Sequence, residues 1–81
     1  MMKRGTVVRA SAGRDKDGLF VVVGEDKGFV LICNGKRRPL ERAKRKNPSH
    51  LKPTEDTLPE EGMKTNRMIR KALARLHSAD D

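Results

Sequence analysis

The sequence has almost no aromatic residues and only one cysteine. Phe20 and Phe29 are its aromatic side chains, and tryptophan and tyrosine are missing. RNA recognition by base stacking needs exposed rings, so this mode of binding is disfavoured. Cys33 has no second cysteine to pair with, and together with the two histidines it cannot supply the four ligands of a structural zinc site. We therefore expect no disulfide, no metal and no cofactor, and we interpret the protein as cytoplasmic.

Long apolar runs are also missing. The longest contain about five residues, whereas a helix needs about 20 apolar residues to cross a bilayer. The N-terminal residues are charged, but they do not lead into the apolar run of a signal peptide. A membrane partner is therefore not expected.

Basic side chains dominate what is present. Lys and Arg number 19 against 11 Asp and Glu, which gives a net charge of +8 at pH 7 in a chain of 81 residues. An excess of this size indicates a polyanionic partner, most often nucleic acid. A domain of this length buries only about 60% of its unfolded surface, so a deep enclosed pocket is not expected. For this reason we predict that the protein is not an enzyme.

The first two thirds of the chain alternate between β-forming runs and turns. The predicted strands cover residues 5–10, 19–23 and 29–33, with a polar, glycine-bounded loop at residues 12–18. Short strands separated by frequent turns are typical of a small, strongly bent β-barrel or sandwich. The expected fold is therefore mostly β.

Two further strands are expected after these three. Asn34-Gly35 is typical of a type I′ hairpin turn, so a fourth strand should begin at Lys36. Pro39 lacks a backbone N–H and restricts that strand to an edge or interrupts it. A short closing strand is expected at residues 50–52.

The composition changes near residue 54. Residues 55–62 are acidic, contain Pro and Gly, and are predicted to form a linker. Residues 63–81 are predicted to form a basic amphipathic α-helix and a C-terminal tail. The apolar stripe of this helix contains Met68, Ile69, Ala72, Leu73 and Leu76, and its basic face contains Arg67, Arg70, Lys71 and Arg75. The stripe is suited to docking on the β-domain or to binding a partner protein, and the basic face is suited to lying along RNA.

The segment 5–23 resembles a KOW motif, a β-loop-β unit with a glycine in its loop that occurs in ribosomal proteins and transcription elongation factors. Gly13, flanked by Arg14 and Lys16, matches the motif glycine, whose backbone takes positive φ and approaches phosphate closely. The segment 34–40 is similar to the archaeal and eukaryotic large-subunit ribosomal protein fourteen family and its small bacterial relatives. The resemblance implies an SH3-like barrel over residues 1–54, binding of structured RNA, usually ribosomal, and no catalysis.

The main candidate site is the basic segment, residues 36–46. It contains Lys36, Arg37, Arg38, Arg42, Lys44, Arg45 and Lys46, with Glu41 as its one acidic residue. Such a run is suited to binding phosphates, although a solvated basic strand has the same composition. A second candidate patch comprises Arg9, Gly13, Arg14 and Lys16. Interleaved Asp15 and Asp17 leave a polar turn with local ion pairs as an equal alternative there.

The predicted function is non-catalytic binding of structured RNA, in particular ribosomal RNA, with the helix cations as a secondary contact. One alternative is a protein-interaction module that uses the helix stripe. Another is a DNA-binding accessory protein. Steep weakening by salt distinguishes nucleic-acid binding from an apolar protein contact.

Overall fold

The chain folds into one five-stranded antiparallel sheet and a C-terminal helix. The computed structural model describes residues 2–79, with side chains through His77, so Met1 of the predicted barrel segment and residues 80–81 of the predicted tail lie outside the described residues. The elements are β1 (Thr6–Ala10), β2 (Leu19–Asp26), β3 (Phe29–Cys33), β4 (Lys44–Lys46), β5 (Leu51–Thr57) and α1 (Asn66–Ala79). The strand order is β4-β3-β2-β1-β5. The predicted mostly β fold is confirmed.

β1 and β3 lie close to where the sequence predicts them, whereas β2 continues through Asp26 rather than ending at Val23. The tight hairpin turn does not lie at its predicted position. Asp26 pairs with Phe29, so β2 and β3 are joined by Lys27 and Gly28 alone. Both residues have positive φ, +50° and +87°, as a type I′ turn requires. The prediction of this turn at Asn34-Gly35 is therefore wrong in position.

The fourth strand begins at Lys44 rather than at Lys36, because residues 34–38 form a loop with its own internal hydrogen bonds. The Asn34 carboxamide oxygen accepts the backbone N–H groups of Lys36 and Arg38 at 3.0 and 2.9 Å. This side-chain bonding replaces the ladder that a tight hairpin would need. A short 3₁₀ turn, Leu40–Arg42, then leads into β4.

The last strand is longer than predicted. Residues 55–57, from the predicted linker, lie in β5, and Thr57 pairs with Thr6 of β1. The Leu58 N–H then donates to Gly5 O at 2.8 Å, and a 3₁₀ turn, Glu60–Met63, precedes the helix. Met63 in this turn is 3% exposed, so the acidic segment is fastened to the sheet at both ends.

Both faces of the sheet are apolar. The strands contain consecutive apolar residues, and successive side chains of a strand point to opposite faces. One face is covered by α1. The buried cluster there contains Val7, Leu19, Val21, Cys33, Met63, Ile69 and Leu73. The other face contains Val8, Ala10, Phe20, Val22, Val30, Ile32 and Leu51. Of the arrangements considered for the helix stripe, docking on the sheet is the one observed.

The sheet is strongly curved. Val30 of β3 and Pro53 of β5, three places apart in the strand order, line the same open cleft of about 500 Å³. Across residues 2–79 the two edge strands, β4 and β5, do not pair with each other. No helix within this range is long and apolar enough to cross a membrane.

Candidate nucleic-acid interface

The centre of the candidate interface is the loop at residues 34–38. The two backbone bonds to Asn34 Oδ1 hold its shape, and a third bond from Asn34 N to Arg38 O closes it at 2.8 Å. Lys36 and Arg37 lie at its tip and are exposed. A loop closed by its own hydrogen bonds presents these two cations at fixed positions.

Five cations of the basic segment face outward: Lys36, Arg37, Arg42, Lys44 and Arg45. Arg45 is partly engaged within the protein, because its guanidinium lies 4.6 Å from the centre of the Phe29 ring and its Nη1 is 3.6 Å from Asp26 Oδ2. Exposed ion pairs of this kind contribute little to stability. The outward cations are therefore available to an external anion at little cost to the fold.

Arg38 and Lys46 face inward and meet Asp15. Arg38 Nη2 is 3.2 Å from Asp15 Oδ2, and Lys46 Nζ is 4.0 Å from the same oxygen. Lys46 Nζ also donates to Ala12 O at 3.0 Å. The side chains of Asp15 and Lys46 are only 2% and 10% exposed. A buried carboxylate is stable only when cations accompany it, so these three residues form a structural cluster.

This cluster fastens the glycine loop, residues 11–18, against the basic segment. Gly13 has φ +78°, and a Cβ added there would lie 3.2 Å from Lys46 Nζ. The close approach at Gly13 is therefore made by Lys46. Arg14 and Lys16, on either side of Asp15, are exposed.

Arg9 is directed toward the backbone of the same loop. Its Nη1 donates to Asp17 O at 2.9 Å. Asp17 has φ +70°, which turns its carbonyl toward β1 at the point where the loop returns to β2. Of the second candidate patch, Arg14 and Lys16 thus face solvent, whereas Arg9 supports the loop.

On its other side, the loop at residues 34–38 rests on the first turn of α1. Gly35 is buried, and a Cβ added there would lie 2.2 Å from Asn66 O and 3.1 Å from Arg70 N. With φ +77° as well, this position accepts only glycine. The loop and the helix backbone are therefore in direct contact.

Asn66 reinforces that contact with its side chain. Its Oδ1 accepts the Leu40 N–H at 2.7 Å, and its Nδ2 donates to Glu41 Oε1 at 2.9 Å. The bond from Asn66 lowers the pKa of Glu41. The helix cap itself comes from Thr65, whose Oγ1 accepts the Met68 N–H at 3.1 Å.

The structure thus brings three basic regions of the sequence to one area. The loop at residues 34–38 lies in the middle, joined to the glycine loop through Asp15 and to α1 through Asn66. Sequence reasoning missed both connecting residues. Asp15 has basic neighbours on both sides, which suggested only local pairing, and nothing in the local pattern singles out Asn66.

The acidic residues are concentrated elsewhere. Glu55, Asp56, Glu60 and Glu61 are exposed along β5 and the turn that follows it. β5 and β4 occupy opposite ends of the strand order, so these four carboxylates do not lie on the strand that carries Lys44 and Arg45. Arg4 is attached to the acidic segment, where its hydrogen bond to Glu60 lowers the pKa of that carboxyl.

The remaining reactive groups do not form a second site. Burial raises the pKa of the Cys33 thiol to about 11, so it stays protonated at neutral pH. Among residues 2–79, no group of three or more His, Cys, Asp and Glu side chains is placed to hold a metal ion. No family model and no curated protein matches this chain.

Proposed function

We propose that this protein binds structured RNA without catalysing a reaction, and that its curved sheet is an SH3-like barrel of the KOW type. The proposed contact surface consists of the loop at residues 34–38, the outward cations of β4 and its preceding turn, and the exposed glycine-loop residues Arg14 and Lys16. Ribosomal RNA is the proposed class of target, because the resemblance to KOW ribosomal proteins names it.

The observation that carries the proposal is the placement of the cations. Lys36, Arg37, Arg42 and Lys44 are exposed within one short stretch of the chain, whereas the acidic side chains of β5 lie on the strand at the other end of the sheet order. Lys and Arg at fixed positions neutralise phosphates and release their counterions. Arginine also offers a planar fork that pairs with phosphate oxygens. Phosphate contacts of this kind give affinity and orientation, and the shape of the RNA fold gives selectivity.

The two aromatic residues do not supply a base-stacking surface. Phe20 is 2% exposed in the core, and the ring of Phe29 is half-buried beneath Arg45. Recognition of RNA by charge and shape therefore fits this protein better than recognition of single strands by base stacking.

A protein-interaction module is the weaker alternative. The stripe that it would use is largely occupied within the protein, since Ile69 is fully buried and Leu73 is 5% exposed against the sheet. Met68, at 41% exposure, is the large apolar side chain of the stripe that remains at the surface. A DNA-binding role uses the same charges, so it is tested by competition.

The test is a titration of a fluorescein-labelled RNA stem-loop, followed by fluorescence anisotropy over a range of KCl concentrations. If about four to six phosphates are neutralised, log K against log salt should have a slope of roughly −3 to −5. A slope near zero would refute the electrostatic mechanism. Duplex DNA that competes as well as unlabelled stem-loop would move the proposal to the DNA-binding alternative.

A pair of double variants with equal charge change locates the site. Lys36→Gln/Arg37→Gln should weaken binding and make the salt slope shallower by roughly 2, since each lost phosphate contact removes about 0.9. Lys3→Gln/Lys52→Gln removes the same charge from exposed residues of the N-terminus and β5. Equal losses for the two variants would mean that net charge, not this surface, governs binding.

A further inference from the structure

The strongest unexplained feature of the surface is the contact between the basic loop and the basic helix. Residues 34–38 and α1 are far apart in the sequence, yet Gly35 packs directly on the backbone from Asn66 to Arg70. The hydrogen bonds from Asn66 to Leu40 and Glu41 fix the relative position of the two elements. Two positively charged elements are thus held together by backbone packing and by hydrogen bonds to the Asn66 side chain.

The positions of the helix cations relative to this contact differ. Arg70 lies one helical turn after Asn66, and its backbone N is 3.1 Å from the position of a Cβ on Gly35. Arg67 is three residues before Arg70 and four before Lys71, so it lies between these two on the helix surface. Lys71 and Arg75 border a groove that Leu58 and Pro59 also line. All four side chains are exposed. The basic face of the helix is therefore continuous, with Arg70 at the end next to the loop and Arg75 at the other end.

We propose that Arg67 and Arg70 belong to the same phosphate-binding surface as Lys36 and Arg37, so that one RNA contacts the loop and the first turns of α1 together. This inference rests on the RNA-binding function proposed above. The sequence favours the basic segment as the main site and assigns all four helix cations together to a secondary one. We instead divide them, placing Arg67 and Arg70 in the main site and Lys71 and Arg75 outside it.

Charge supports this composite surface. Lys36 follows Gly35, whose Cβ position lies 3.1 Å from Arg70 N, so Lys36 and Arg70 are neighbours along the backbone contact. Like charges repel where they lie within a Debye length, which is about 10 Å at an ionic strength of about 0.1 M. Glu41 is the acidic residue between the two elements, and its carboxylate already accepts the Asn66 side chain. A phosphate backbone spanning both elements would relieve this repulsion, which gives the surface a preference for a polyanion over an isolated anion.

The experiment compares two double variants of the same helix with the same fluorescein-labelled RNA stem-loop. Arg67→Gln/Arg70→Gln should make the salt slope shallower by roughly 1 to 2 and weaken binding to a degree similar to Lys36→Gln/Arg37→Gln. Lys71→Gln/Arg75→Gln, with the same loss of charge and the same exposure, should change the slope by less than about 0.5. Arg67→Lys/Arg70→Lys should retain the slope, because it keeps the charge.

Each outcome supports or overturns the inference. If the loop variant weakens binding and Arg67→Gln/Arg70→Gln does not, the composite surface is refuted while the RNA-binding function stands. If both helix variants weaken binding equally, α1 contributes only diffuse charge, and the inference is again refuted. If the unmodified protein does not bind the stem-loop, the proposed function itself fails. Equal urea midpoints among the variants, and recovery in the lysine variant, exclude misfolding as the cause of a loss.

Discussion

The inward and outward cations of the basic segment differ in exposure although they lie only a few residues apart. Lys44 and Lys46 both lie opposite apolar residues of β3, Ile32 and Val30, and so start from the same side of the sheet. Lys44 is exposed, whereas Lys46 is buried because the glycine loop crosses over it and its Nζ bonds to Ala12 O. The difference comes from a loop more than thirty residues away in the chain.

This comparison shows that a count of cations is not a count of binding residues. Arg38 and Lys46 neutralise a buried carboxylate and hold two loops together, so they act on the shape of the surface. Lys36, Arg37 and Lys44 are exposed, and in the proposed function they contact the RNA. Stability and RNA affinity should therefore respond to different members of the same segment.

A variant at Asp15 tests most directly whether the inward cations are structural. Asp15→Ala leaves Arg38 and Lys46 without their carboxylate, and loss of one partner from a buried ion pair costs about 3 kcal/mol of unfolding free energy. Asp26→Ala, which removes the exposed partner of Arg45, should cost less than about 1 kcal/mol. Urea unfolding measures both. Equal midpoints for the two variants would show that the inward cluster is not structural.

A loss of similar size is expected from the helix that supports the loop at residues 34–38. Leu73 is 5% exposed in the cluster beneath α1, so Leu73→Ala should lower the free energy of unfolding by about 2 to 4 kcal/mol. Met68→Ala, on the same helix at 41% exposure, should cost less than about 1 kcal/mol. If chain truncation after Thr54 leaves the urea midpoint unchanged, docking of α1 does not stabilise the sheet.

The buried thiol beneath the helix gives a pH-dependent test of the interior. Burial raises the pKa of Cys33 from an ordinary 9.0 to about 11, so the unfolded chain loses this proton first as the pH rises. Stability from the protonated thiol is fully present below pH 9 and falls between about pH 9 and 11, by on the order of 2 kcal/mol. The difference in urea midpoint between the protein and Cys33→Val, followed against pH, isolates this titration from that of the lysines. A constant difference would contradict burial of the thiol.

The smallest effect concerns Glu41, at the exposed end of the contact between loop and helix. The hydrogen bond from Asn66 lowers the pKa of Glu41, so its contribution is present above the ordinary glutamate pKa and is lost as the pH falls through the lowered value. An NMR titration of the Glu41 carboxyl carbon should show its pKa returning toward the ordinary range in Asn66→Ala. An unchanged titration would mean that Asn66 does not hold the loop in solution.

The sequence predicted β1, β2 and β3 well because their signals are local. Runs of β-branched residues bounded by glycine determine where these strands lie, and period-two alternation gives each two apolar faces. The amphipathic helix was predicted from a stripe that includes Ile69 and Leu73, and these two residues do face the sheet. The sequence likewise identified Lys36, Arg37, Arg42 and Lys44 as candidate binding residues, although it did not separate them from Arg38 and Lys46.

The course of the chain between residues 34 and 57 could not be predicted from local sequence signals. Asn34-Gly35 has the composition of a hairpin turn, but Gly35 is required by the approach of Asn66, which no local pattern encodes. Residues 55–57 belong to an acidic segment that has the composition of a linker, but they lie in β5 alongside β1. In both places a long-range contact outweighed the local preference.

The sequence by itself determined the strand-forming runs, the amphipathic helix and the large excess of positive charge, since each depends on residue type and spacing alone. Only the tertiary structure decided which cations remain at the surface, because the engagement of Arg38 and Lys46 depends on where Asp15 comes to lie. It also decided that the basic loop and the first turn of α1 are neighbours, through Gly35 and Asn66. Charge is a property of the residues, whereas a charged surface is a property of their arrangement.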